Sequence, residues 1–270
     1  MWSLQYIFLR VAVPAFGTAA VAEGRALTAA LFLVPWAVWA ARQRIAPLER
    51  WKDHLALALA NNVLPFVCFA WAASVLPAGY LAIINGMVPL WAAVIAVPVL
   101  RERLGAKRIA GFALGIAGVA LTVKLGPVEL DSKTVLGTLV AVAGAGFWGW
   151  AGVMIKQRQA MPPMGLAAGS IAFAALIMAP LWATAPPPSD WTLAGVAALV
   201  AVGLVCSGLA YLPFFTLVRD IGPSRTLTVG LTVPILGPVW GWLFLGEALT
   251  ASMFIGMALV VVALGLVLRR

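Results

Sequence analysis

LPAGYLAIINGMVPLWAAVIAVPVLRERLGAKRIAGFALGIAGVALTV, residues 76–123, returns 145 residues later as IGPSRTLTVGLTVPILGPVWGWLFLGEALTASMFIGMALVVVALGLVL, residues 221–268. At that single offset Val88/Val233, Pro89/Pro234, Leu100/Leu245, Glu102/Glu247, Leu104/Leu249, Ala106/Ala251, Gly111/Gly256 and Leu121/Leu266 coincide without a gap. The period is far longer than any solenoid unit, so the chain is two half-proteins in series.

The medium around those halves follows from composition. Of 270 residues, 63% are hydrophobic and only 10% charged, and the mean hydropathy is +1.03. A soluble domain carries about a quarter charged residues. In water this chain exposes more apolar surface than a monomer tolerates. The formal charge of +9 does not indicate nucleic acid, because the basic residues fall in short loops between apolar runs, the pattern that writes membrane topology. Cys68 and Cys206 lie inside apolar runs and read as small buried hydrophobes, neither a disulfide nor a metal pair. The N-terminus has neither a basic n-region nor a small-residue cleavage site.

A crossing helix needs roughly 20 apolar residues. Runs of that kind lie at about 17–41, 55–76, 79–100, 106–125, 135–155, 164–183, 191–218, 224–246 and 250–268, and a segment at 2–13 brings the number to ten. Turn chemistry separates them at Leu76-Pro77-Ala78-Gly79, Gly126-Pro127, Met161-Pro162-Pro163, Pro186-Pro187-Pro188 and Ile221-Gly222-Pro223. With the N-terminus inside, the cytoplasmic loops and C-terminus hold Arg42, Arg44, Arg50, Lys52, Arg101, Arg103, Lys107, Arg108, Lys156, Arg158, Arg219, Arg225, Arg269 and Arg270, 14 of the 18 basic residues. The outer side holds Arg10, Lys124 and Lys133, and Arg25 falls within the second segment. This bias places both termini in the cytoplasm.

The expected fold is therefore an all-α polytopic membrane protein: ten transmembrane helices as two five-helix repeats, 1–130 and 131–270, around a central cavity. Five is odd, so the second repeat enters the membrane inverted, with Glu102 on the inner face and Glu247 on the outer. Secondary transporters are commonly built this way.

Several motifs resemble a known family. Leu245-Gly246-Glu247-Ala248-Leu249-Thr250 with Gly256 is similar to the signature that ends the EamA repeat, as is Val99-Leu100-Arg101-Glu102-Arg103-Leu104 with Gly111. Trp2-Ser3-Leu4-Gln5-Tyr6-Ile7 and Trp148-Gly149-Trp150 resemble the motif that opens each repeat, with Ser3 where the family usually has glycine, and Arg25 matches an arginine common early in the second helix. Over essentially its whole length the chain resembles the EamA-type members of the drug/metabolite transporter superfamily, and within them YddG-like amino-acid exporters. The resemblance implies a first helix ending near Pro14, only about a dozen residues or roughly 18 Å long. The expectation is a first helix short of its N-terminal part; a single span across Pro14 and Gly17 is the alternative.

Helix-breakers at matching places in the two halves point to the site. Pro89 and Pro234 lie near the middle of their helices, and each frees the carbonyl four residues earlier, at Asn85 and Gly230. Asn85 and Pro89 share a face. Pro65 and Pro213 interrupt two further helices. Buried polar groups need partners, and the candidates for a ligand are Asn85, Asn62 and Ser207, with Gln5, Asn61 and Thr232 behind them. Trp148, Trp150, Tyr80 and Tyr211 are candidates for an aromatic wall. Trp36, Trp39, Trp51, Trp182 and Trp191 read as an interfacial belt.

Glu23 is the one carboxylate inside a span, and a local ion pair with Arg25 is expected for it. Glu102 and Glu247 read as caps or tethers at helix ends. HExxH, GxSxG and Walker motifs are all absent from the sequence, so no catalytic residue, metal or cofactor is expected. Gly111, Gly115 and Gly118 predict close packing of the fifth helix within the protomer. The expected function is outward transport of a small metabolite, an amino acid or similar, including aromatic ones, across the inner (plasma) membrane. The expected partners are that substrate and the lipid bilayer, not nucleic acid, with the protein a monomer or a dimer. The alternatives are a sugar-phosphate or nucleotide-sugar antiporter, which needs a midplane cation that Arg25, read as off-centre, does not supply, and a non-transporting scaffold.

Overall fold

The computed structural model describes residues 1–43, 45, 49–102, 105–124, 129–158, 162–184, 191–221 and 226–268. The turns expected at Gly126-Pro127 and at 186–188, together with Met161, Gly222, Pro223, Arg44, Arg103, Arg225, Arg269 and Arg270, lie outside the described residues. Among the described residues every regular element is helical. The main helices are α1 (Gln5–Pro35), α2 (Trp51–Leu57), α3 (Leu64–Ala72), α4 (Ala78–Asn85), α5 (Val88–Leu100), α6 (Ala106–Lys124), α7 (Ser132–Gln157), α8 (Pro163–Thr184), α9 (Leu193–Gly203), α10 (Tyr211–Ile221), α11 (Thr232–Leu245) and α12 (Ala251–Leu268). Merged across their interruptions they form seven helices long and apolar enough to cross a bilayer, with two shorter apolar helices at Val229–Leu245 and Ala251–Val267. The chain is a polytopic membrane protein.

The longest of these, Trp2–Ala40, does not run straight. Gly17 sits at φ 76°, ψ 164°, a conformation open essentially to glycine alone. Cys206 Sγ donates to the Met1 carbonyl at 3.2 Å, and Phe16 meets Trp191 edge-on, so the first arm runs opposite to 191–206. Beyond the break Gly24 abuts Leu199 and Phe32 abuts Gly208, so the second arm runs with it. The two arms are a hairpin wrapped on α9, with the reversal beside the Pro14 and Gly17 singled out in the sequence.

Pro65, Pro213, Pro89 and Pro234 each stand at the start of a new helical piece. Pro65 and Pro213 stand in the first turns of α3 and α10, immediately after π-helical turns at Ala58–Val63 and Leu204–Leu209. Pro89 opens α5 after a turn at 86–87, and Pro234 lies in the first turn of α11 after a 3-10 segment at Leu227–Leu231. A proline cannot continue the i→i−4 ladder, and π or 3-10 turns absorb the lost hydrogen bond.

Small residues permit one close helix–helix contact. α6 packs on α12: Gly118 lies against the Gly256 carbonyl, and Gly111 against Ala263 and Val267, where a side chain has no room. The helices before these, α5 and α11, share a left-handed C-cap, Arg101 at φ 54° and Gly246 at φ 66°. Glu247 bonds the N-terminus of α4, while Glu102 follows the end of α5, so the two glutamates occupy opposite ends of the 78–100 segment.

Candidate functional site

The four interruptions converge on one cavity of about 260 Å³. Asn61 comes from the first π turn, Asn85, Val88 and Pro89 from the α4–α5 break, and Cys206 and Ser207 from the second π turn. Gly230 and Val233 come from the break before α11. Trp2, Gln5, Arg25, Phe66, Trp148, Gly152, Ile155, Tyr211, Phe214 and Thr226 complete the wall.

Among the described residues, the cavity lining reaches an exposed residue toward one end of α7. Ile155, in its lining, is 44% exposed and stands one residue before Lys156 on α7. Toward the opposite end Leu9, Leu76, Tyr80, Leu81 and Ile83 are closed off from solvent. There Glu247 ties the N-terminus of α4, its carboxylate accepting from the Ala78 and Gly79 amides at 2.7 and 3.1 Å.

The aromatic wall is held by polar contacts to exposed backbone. Trp148 stacks on Phe69 at 4.8 Å, and its Nε1 donates to the Asn61 carbonyl at 2.9 Å, an acceptor in the π turn. Asn61 Nδ2 donates to Tyr211 Oη at 3.3 Å, linking the two halves across the cavity. Trp2 packs against Phe214 at 5.1 Å and Tyr211 at 6.5 Å.

Arg25 contradicts both of its sequence expectations. It lines the central cavity rather than standing off-centre, because the Gly17 reversal carries the second arm back past the first. Its Nε donates to Ser207 Oγ at 2.8 Å and its Nη2 to Gln5 Oε1 at 2.7 Å, and Phe66 lies 3.8 Å from Cζ. The local ion pair with Glu23 is not formed: residues two apart on a helix do not face each other. Glu23 is 4% exposed and its Oε2 has no partner among the described residues.

Of the sequence candidates, Asn85, Pro89, Trp148, Ser207 and Tyr211 line the cavity together. Four do not. Trp150, two residues from Trp148, points to the opposite side of α7 and is 41% exposed. Tyr80 is fully buried, more than a helical turn from Asn85 toward the sealed end. Asn62 turns to α8, donating to Ser170 Oγ at 3.4 Å. Pro234 packs against Gly86 at the facing break, leaving Gly230 and Val233 on the wall. Sequence reading passed over Trp2 and Phe214 and set Gln5 and Asn61 behind other residues. Trp2 was signalled, since it opens its repeat as Trp148 opens the other.

A sequence model of the EamA-like transporter family matches residues 1–124 and 135–269. An uncharacterized transporter of Bacillus subtilis, YvbV, is 28% identical over 225 residues, covering 81% of this chain and 72% of that one. A probable terminal-alkyne amino-acid exporter of Streptantibioticus cattleyicolor is 24% identical, covering all of this chain and 90% of that one. A solved crystal structure shares the fold with a TM-score of 0.66 at 21% identity, covering 98% of this chain and 91% of its own.

Proposed function

This chain belongs to the EamA-like transporter family, and on that premise we propose that it exports small metabolites, amino acids including aromatic ones, across the inner membrane. The carrying observation is that four proline-broken helices, two from each repeat, converge on one cavity walled by Trp2 and Trp148. On this reading the repeats 1–130 and 131–270 are inverted five-helix units, giving ten spans once the Gly17 hairpin is counted as two. The opposite placement of Glu102 and Glu247 supports the inversion. The cavity's mouth is on the side of Lys156 and Arg158, the side that the distribution of basic residues assigns to the cytoplasm. Transport then proceeds by rocking of the two repeats, with this form open inward. The named exporter among the relatives supports an amino-acid substrate.

One observation favours a second reading. Arg25 supplies the buried cation that a sugar-phosphate or nucleotide-sugar antiporter requires. Counterflow in proteoliposomes tests both: preloaded unlabelled amino acids accelerate entry of labelled ones on the first reading. Acceleration by sugar phosphates alone selects the second, and flux with neither class refutes the export proposal.

A further inference from the structure

Arg25 is a buried cation with unused binding capacity. It is 3% exposed, and Nη1 has no partner among the described residues. Of the five guanidinium N–H groups, one is held by Ser207 and one by Gln5. Those contacts fix the plane of the group against Phe66. No carboxylate stands among the described residues lining the cavity. An uncompensated charge inside a membrane protein is costly and is kept facing a bundle interior or a cavity for use.

We propose that Arg25 is the anchor for a carboxylate on the transported molecule, with Nη1 donating to it. The proposal rests on the carrier reading and names the chemical class of its substrate. A single cation balances a single negative charge. A phosphate dianion in the same cavity leaves one charge unbalanced in an otherwise aromatic and amide-lined wall. Trp2 and Trp148 then flank the apolar body of the substrate. The Asn85 side chain, which lines the same cavity with no hydrogen bond among the described residues, offers an acceptor for an ammonium group.

The test uses purified full-length protein and matched probes: L-phenylalanine, L-leucine and 3-phenylpropanoate, each beside its primary amide, with phenyl phosphate as the competing anion. Binding is followed by quenching of tryptophan emission. In the wild type at least one acid binds about tenfold or more tighter than its amide, the size of a charge-assisted hydrogen bond. Arg25→Met abolishes that ratio, whatever its effect on the amide's own affinity, and Arg25→Lys retains part of it. The wild-type ratio needs no variant and so stands even if Arg25→Met does not fold. Equal binding of acids and amides, binding of no acid, or preference for phenyl phosphate overturns the proposal. Counterflow on the same panel separates the two claims. Flux that ignores the acid–amide difference keeps the carrier and removes the anchor, while an acid-selective Kd without flux keeps the anchor and removes the carrier.

Discussion

Glu247, near the end of the chain, caps Ala78, near the end of its first third: Oε1 accepts the Ala78 amide at 2.7 Å while Oε2 accepts that of Gly79 at 3.1 Å. A carboxylate at a helix N-terminus satisfies orphan donors and meets the positive end of the helix dipole. The motif that marks the end of the second repeat thus fastens the sealed end of the cavity. Glu247→Ala is expected to lower stability by about 1–3 kcal/mol, read as a lower thermal midpoint in detergent. A methyl at Gly241 would stand 2.6 Å from Glu247 Oε2, so Gly241→Ala displaces the same contact. The double variant is expected to be no worse than the sum of the two and markedly better than additive. Strict additivity counts against a shared contact.

The proposed orientation is tested with single cysteines on a background lacking Cys68 and Cys206. Ser132 and Gln157 are the two ends of α7, both exposed. An impermeant thiol reagent is expected to label Ser132→Cys in intact cells and to reach Gln157→Cys only after lysis. The reverse pattern inverts the topology.

Pro89 and Pro234 hold matching helix breaks that border the cavity. Pro89→Ala and Pro234→Ala restore a backbone donor and straighten the segment, so each is expected to slow counterflow by about 2- to 30-fold while the protein remains monodisperse. Pro234 acts through Gly86, against which it packs, so Gly86→Ala is expected to reproduce the Pro234 defect more closely than the Pro89 one. Full flux in the double proline variant removes the hinge role.

These breaks were readable in the sequence because a missing N–H acts wherever proline sits. The close packing of Gly111 and Gly118 was readable for a similar reason, because glycine alone leaves no side chain between helices, whereas the break near Pro14 was an expectation from the family resemblance and its reversal at Gly17 was not foreseen. Azimuth was not readable from type and depth. Trp150 and Tyr80 have suitable chemistry, yet one faces away from the cavity and the other lies beyond it. The i, i+2 geometry alone separates Trp150 from Trp148. Arg25 was misplaced because its depth depends on a chain reversal eight residues away, and its partners Gln5 and Ser207 come from distant sequence.

Glu102 lies in the loop after α5, where Lys156 and Arg108 donate to it at 2.8 and 2.9 Å and hold its carboxyl below the usual glutamate range. Its folded-state pKa is depressed, so its contribution is present above the ordinary glutamate value and lost as pH falls through the depressed one. Half-exposed pairs of this kind contribute at most about 1 kcal/mol. Glu102→Gln is therefore expected to lower the thermal midpoint slightly at pH 7, and the gap to the wild type should close on acidification. A gap that widens at low pH contradicts the assignment.

The last prediction concerns the driving force. Proton-coupled carriers keep a carboxylate where it can meet both substrate and water. Among the described lining residues the charged group is Arg25, and no carboxylate joins it. Glu23 is buried but is not part of the lining, and the helix turns it away from Arg25. The protein is therefore expected to be a facilitator, moving substrate down its own gradient, and Glu23→Gln is expected to leave gradient-driven counterflow largely intact. The measurement is substrate accumulation in proteoliposomes under an imposed pH gradient with equal substrate on both sides. Net accumulation that collapses with a protonophore overturns the facilitator assignment. Its loss in Glu23→Gln then identifies that buried carboxyl as the proton carrier and implies that the cavity seen here reshapes to reach it.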